Sequence, residues 1–250
     1  MNSVLLCEGS TDYTLLQYYM RNACQWEDDK EKQSKIFKLN GQKSRKLFHG
    51  EHVLTIASVG GCSRLIEGLQ QTLNRNRFAS VDSKDMFDHI VVVTDRDEIG
   101  TEEDFIEKVH KLFQDEMIHY VGNICNNQWV TCEMENNMGE SMCFSLLLML
   151  LPFEENGAME TFLLNAIAQA DSYDREIIEK CNAFVDCADP ERRYLSKRRL
   201  ITKAKFDAYF SIRTSAEQFT ERHNILKNIK WENYTALQKD FILLTELSEK

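Results

Sequence analysis

Four carboxylates stand in two tight clusters: Glu8 and Asp12 in Glu8-Gly9-Ser10-Thr11-Asp12, and Asp95 and Asp97 in Asp95-Arg96-Asp97. Each cluster directly follows a short apolar run, Val4-Leu5-Leu6-Cys7 for the first and Ile90-Val91-Val92-Val93 for the second. Carboxylates brought together repel one another unless a cation neutralises them. An all-oxygen ligand set selects a hard ion, Mg²⁺ or Mn²⁺, over zinc. The chemistry such a site offers is metal-assisted attack on a phosphoester.

The elements that must position these acids are legible around them. Both apolar runs have the composition of buried parallel strands, and a third run, Val53 to Val59, is stopped by Gly60-Gly61. Helical patterns follow each: from Asp12 (Leu15, Leu16, Tyr19, Met20), from residue 62 (Leu65, Ile66, Leu69, Leu73), and from Thr101 (Phe105, Ile106, Val109, Leu112, Phe113). The order β-α-β-α-β-α predicts a doubly wound parallel α/β sheet with right-handed crossovers. In strand order 2-1-3 the first and third strands are neighbours, so Glu8 and Asp12 face Asp95 and Asp97 at the carboxyl ends, where such sheets bind ligands. In an extended strand end Asp95 and Asp97 point to the same side.

The lysine-rich stretch 26–50 reads as a surface insertion, and residues 117–135 as one or two further strands. The rest reads as helical over 139–151, 157–169, 171–184, 191–210, 214–228 and 234–248. This predicts a catalytic core over residues 1–135 and a mainly helical extension over 136–250 that completes or covers the site.

Glu8-Gly9-Ser10-Thr11-Asp12 resembles the EGxxD signature of TOPRIM domains, and Asp95-Arg96-Asp97 resembles their DxD signature, with Gly60-Gly61 in the expected place between them. Residues 1–115 carry this resemblance to a domain found in topoisomerases, primases and OLD-family nucleases. Gly157-Ala158-Met159-Glu160 further resembles a GxxE segment of stand-alone bacterial TOPRIM proteins akin to OLD nucleases. The resemblance implies a Mg²⁺-dependent nuclease using two metal ions, with Glu8, Asp12, Asp95, Asp97 and Glu160 as metal ligands. It implies that Glu8 and Asp12 also serve the proton chemistry, and that Lys203 or Lys205 stabilises the transition state. No Walker A motif is present, and similarity to TOPRIM subunits of anti-phage systems points to an ATPase supplied by a partner chain.

Composition frames the partners. The 250 residues carry a net charge of −10, which argues against a protein that coats nucleic acid and for a small basic footprint. Arg192, Arg193, Lys197, Arg198 and Arg199, gathered around Tyr194, are the expected nucleic-acid contacts. The eight cysteines show no CxxC spacing, and the six histidines no ligand or triad spacing. Ser10 and Thr11 lack the GxSxG frame of a nucleophile elbow. With no signal-peptide pattern and no apolar run of membrane length, a cytoplasmic protein is expected. A homodimer setting two sites on one duplex is compatible with this reading. Two alternatives stand beside it: a catalytically silent regulatory or partner-binding module, and a phosphatase using the Asp95-x-Asp97 pair. The second is disfavoured because phosphatases place that motif after their first strand.

Overall fold

A computed structural model describes residues 1–29, 43–80, 85–214 and 222–248. Its centre is a seven-stranded sheet made of β1 (Asn2–Cys7), β2 (Ser44–His49), β3 (His52–Ser58), β4 (His89–Asp95), β5 (His119–Tyr120), β6 (Trp129–Glu135) and β7 (Ser141–Leu151). The order across the sheet is β2-β3-β1-β4-β7-β6-β5. The four central strands β3, β1, β4 and β7 are mutually parallel, while β2 at one edge and β6 and β5 at the other run antiparallel to their neighbours. The expected 2-1-3 order is therefore the observed β3-β1-β4, and the sheet is mixed, its parallel centre flanked by antiparallel edges.

Strand alternation divides the core into two layers. Leu5 and Cys7 of β1 face one layer with Val91, Val93, Leu147 and Met149, and Val4 and Leu6 face the other with Ile90, Val92, Leu146 and Leu148. Helices α2 (Leu65–Phe78) and α3 (Thr101–Asp115) cover the second face through Leu65, Leu69, Leu73, Phe105, Val109 and Phe113. The first face is covered by α1 (Ser10–Ala23), α4 (Met159–Ala170), α5 (Ser172–Ala188), α6 (Arg198–Arg213), α7 (Arg222–Asn228) and α8 (Thr235–Asp240). Helices thus lie on both faces, as a doubly wound fold requires. Among the described residues no helix is long and apolar enough to cross a membrane.

The largest departure from expectation is Ser141–Leu151, read as helix and found as the longest strand. Ser141 to Leu146 alternates, but the Leu and Met run from Leu146 to Leu151 has no β-branching and no period, so over that run local sequence leaves helix and buried strand undecided. Pairing settles it: seven residues from Ser145 to Leu151 lie in parallel register with His89 to Asp95. The sheet therefore continues past residue 135 through the β6–β7 hairpin.

Other differences are smaller. Of the expected surface insertion at 26–50, residues 30–42 lie outside the described residues. Ser44–His49 forms the edge strand β2, and Trp26 is buried. Residues 117–135 supply two strands, β5 and β6. The helix expected over 191–210 begins only at Arg198, the part of 214–228 before Arg222 lies outside the described residues, and 234–248 is α8 followed by a 3₁₀ segment, Ile242–Ser248.

Candidate functional site

Strands β1 and β4 end side by side, and both acidic clusters leave from those ends. Glu8 follows the last residue of β1, and its Oε1 accepts from the Thr94 hydroxyl and from the Asp95 N–H (3.1 Å). The chain turns at once into α1, where the Asp12 carboxylate accepts from the Gly9 N–H at 3.0 Å. After β3, Gly60 and Gly61 (φ +87° and +133°) fold back so that both N–H groups donate to the Glu8 carbonyl at 2.9 Å. Those backbone angles favour glycine, which explains the Gly-Gly pair physically.

Asp95 closes β4 and accepts from the Met159 N–H at 2.9 Å, the first residue of α4. The helix N-terminus thus points at a carboxylate, a favourable dipole contact. Arg96 clamps the same region. Its N–H donates to the Leu151 carbonyl (2.7 Å), its carbonyl accepts from Gly157 N–H (2.9 Å), and its guanidinium donates to the Phe153 carbonyl and pairs with Glu102 at 3.2 Å. A Cβ on Gly157 would fall 2.8 Å from the Thr161 side chain, so this approach of loop to helix needs glycine. The clamp delivers Glu160, 3% exposed, beside Asp12 and Asp95.

A cleft of about 400 Å³ opens at this point, lined by Glu8, Asp12, Asp95 and Glu160 opposite Lys43, Arg199 and Lys203. A second cleft of about 680 Å³ adjoins it, sharing Asp95 and Arg199 and lined further by Asp97, Lys108, Lys197 and Arg198. Electrostatics follow this geometry. Burial first, then the Glu8 and Glu160 charges, push Asp12 up to about 7 against the Gly9 N–H and Lys203, which oppose. Burial, with Asp12, Glu8 and Glu160, raises Asp95 well above the usual range. Burial also raises Glu8, with Asp97 adding to it and Thr94, the Asp95 N–H and Arg199 opposing. Asp97 is raised by burial against Arg198 and Arg199.

The sequence-predicted residues therefore divide. Glu8, Asp12, Asp95 and Glu160 share the first cleft, whereas Asp97 borders only the second. The expectation that Asp95 and Asp97 point to one side presumed an extended strand through residue 97, but β4 ends at Asp95. Lys203 reaches the first cleft. Lys205 turns away to pair with Asp186 at 2.8 Å, because it sits two residues further round the helix. Lys197, Arg198 and Arg199 line the clefts, while Arg192 and Arg193 lie outside them on an exposed turn.

Arg198 and Arg199 in the first turn of α6 oppose its dipole, an arrangement that the facing carboxylates offset. Residues missed by sequence reasoning are Lys43, Thr94, Arg96 and Lys108. Thr94 carried a signal, as the polar residue ending an apolar strand beside the acid motif, and the two lysines carried none.

Buried, mutually repelling carboxylates from three segments form the kind of oxygen donor set that holds a divalent cation. Among the described residues no three His, Cys, Asp or Glu side chains stand ready-made around an ion. Glu8, Asp12 and Asp95 are instead turned to protein donors, as close carboxylates must be to limit their repulsion.

Fold and site together define a doubly wound α/β protein with an acidic, cation-flanked crevice at its switch point. Residues 2–242 match the family described as "Protein of unknown function (DUF3226)", and the chain belongs to that family. A crystal structure of a hypothetical protein from Pyrococcus horikoshii OT3 shares the fold, at TM-score 0.53 and 14% identity over 98% of each chain. No curated protein matches.

Proposed function

We propose that this chain is a TOPRIM-like, Mg²⁺-dependent hydrolase of nucleic-acid phosphodiesters. The observation that carries the reading is the convergence of Glu8, Asp12, Asp95 and Glu160, delivered by the ends of β1 and β4 and the start of α4, on one cleft flanked by Lys203 and Arg199. The residues fit the implied ion: the donors are all carboxylates, and burial with mutual repulsion raises Asp12 and Asp95 in a way a cation would relieve. Bound there, Mg²⁺ (or Mn²⁺) supplies Lewis-acid polarisation of the phosphate and an acidified water.

The chain's own residues do the rest. Glu8, its carboxyl raised by burial, takes a proton from the attacking water or returns one to the leaving oxygen. Lys203 and Arg199, one helical turn apart on a single face of α6, stabilise negative charge gathering on the phosphoryl oxygens. Arg198 and Lys197, beside Asp97, extend the cationic contact surface toward the flanking backbone. A partner ATPase and a homodimer belong to this proposal as regulatory arrangements. One observation favours the silent-module alternative: Glu8, Asp12 and Asp95 are already satisfied by protein donors. The phosphatase alternative is weakened by Asp97 bordering only the second cleft.

The test is incubation of the purified protein with plasmid, single-stranded DNA and transfer RNA in Mg²⁺, Mn²⁺ or EDTA, beside Asp95→Asn. Metal-dependent cleavage that the variant loses supports the hydrolase. Cleavage that persists undiminished in Asp95→Asn refutes this site, and no cleavage by the protein with or without ATP turns the reading to the silent module.

A further inference from the structure

The turn between α5 and α6 is held in one shape by a single carboxylate. Asp189 accepts from the N–H groups of Arg193 (3.0 Å), Tyr194 (2.7 Å) and Leu195 (2.7 Å), and its carbonyl accepts from Arg192 N–H at 3.0 Å. Arg192 sits there at φ +52°, a left-handed conformation that a non-glycine residue holds only when its surroundings impose it. The result is an ordered tip rather than a slack linker.

That tip presents Tyr194, 71% exposed, with the Arg193 guanidinium 5.3 Å from the ring centroid over one face. One face of the ring is backed by a cation, and at that exposure the other stands open to solvent. Three residues on, Lys197, Arg198 and Arg199 line the clefts beside Asp97 and Asp95. Three residues span at most about 10 Å, so the ring lies within a few nucleotides of the acidic crevice along any strand lying on these cations.

We propose that Tyr194 is a stacking platform for an unpaired base, and hence that the substrate is single-stranded nucleic acid or a single-stranded end. This deepens the proposed hydrolase function and rests on it. Within a duplex each base face is covered by its neighbours, so away from a duplex end an open tyrosine face beside a cationic track can engage only a base that has left the stack. The Arg193 guanidinium beside the ring adds a cation to the contact. The net charge of −10 confines polyanion binding to such local tracks, which makes the path past Lys197 to Arg199 the route to the site.

The experiment is fluorescence anisotropy in EDTA, so that binding is read without cleavage. The probes are a labelled oligodeoxynucleotide, an oligoribonucleotide of the same sequence, and the corresponding blunt DNA duplex. The protein should bind one or both single strands more tightly than the duplex, with the stronger arm naming the sugar. Tyr194→Ala should weaken single-strand binding about tenfold or more while leaving the salt dependence unchanged, because stacking and not a phosphate contact is lost. Tyr194→Trp should retain it. Equal affinity for single strand and duplex, or an unaffected Tyr194→Ala, overturns the platform and leaves the hydrolase reading standing. Failure to bind any of the three probes also overturns the platform, and cleavage in Mg²⁺ then decides the hydrolase reading separately.

Discussion

Replacing Asp12 by asparagine should make the protein more stable in the absence of divalent cations, and only above mildly acidic pH. Asp12 is 8% exposed, and burial raises its carboxyl from an ordinary 3.8 to about 7. A carboxyl whose folded pKa lies above its unfolded one favours folding fully only below the unfolded value, near 4. That contribution is lost as pH rises, and the loss is complete above the folded value, near 7.

At about 1.4 kcal/mol per pH unit, the interval from 3.8 to about 7 amounts to about 4 kcal/mol, of which about 2 kcal/mol falls between pH 5.5 and 8. For a protein of this size that is a loss of about 4–8 °C in Tm. Asparagine keeps an oxygen for the Gly9 N–H and carries no charge, so Asp12→Asn should lose Asp12's share of this pH step, fall less in Tm from pH 5.5 to 8 than the parent, and melt higher than the parent at pH 8 in EDTA. Thermal unfolding followed by circular dichroism at both pH values reads this directly. Raising Mg²⁺ at pH 8 should then lift the parent's Tm more than the variant's, through binding to the folded state. A parent Tm no lower at pH 8 than at pH 5.5, with no gain in the variant, would refute the account of buried repulsion. Absence of a Mg²⁺ response alone would remove the metal and leave the repulsion.

Two further predictions concern separate parts of the molecule. Lys203→Ala should cut the turnover of any cleaved substrate by about 100-fold or more, as expected for loss of a charge that faces the reacting phosphate. Lys205→Ala, which breaks only a pair with the half-exposed Asp186, should alter stability by less than about 1 kcal/mol and leave turnover unchanged. Steady-state kinetics on both variants checks the assignment, and equal losses would contradict it. Asn76, fully buried, accepts from the Phe87 N–H (2.8 Å) and donates to the Phe87 carbonyl (2.9 Å), tying α2 to the start of β4. Asn76→Ala removes both partners of that backbone and should cost about 2–4 kcal/mol in urea unfolding. A loss under about 0.5 kcal/mol would mean the segment finds other partners.

The sequence by itself determined three of the four central parallel strands and two of the segments that build the site. Val4–Cys7, Val53–Val59 and Ile90–Val93 are short, mainly apolar runs, each followed by a helical repeat, and that alternation admits few topologies. The acids stand at the ends of those runs, so their meeting at neighbouring strand ends followed from strand order alone. What lay beyond local reach was decided by packing. Leu146–Leu151 has no period to distinguish strand from helix, and it became a strand because β4 had an open parallel edge to fill.

Asp97 left the company of Asp95 because β4 ends one residue before Arg96, whose side chain is drawn to Phe153 and Glu102. Glu160 joined the acids only because β7 ends opposite β4 and hands the chain to α4 through the Arg96 clamp. The choice between Lys203 and Lys205 rested on the rotation of α6 about its own axis. Arg199 and Lys203 share one face by helical period, but which face meets the crevice is set by Phe206, Tyr209 and Phe210 burying themselves in the core. Local sequence fixes period and propensity, and only the closed tertiary structure converts them into direction.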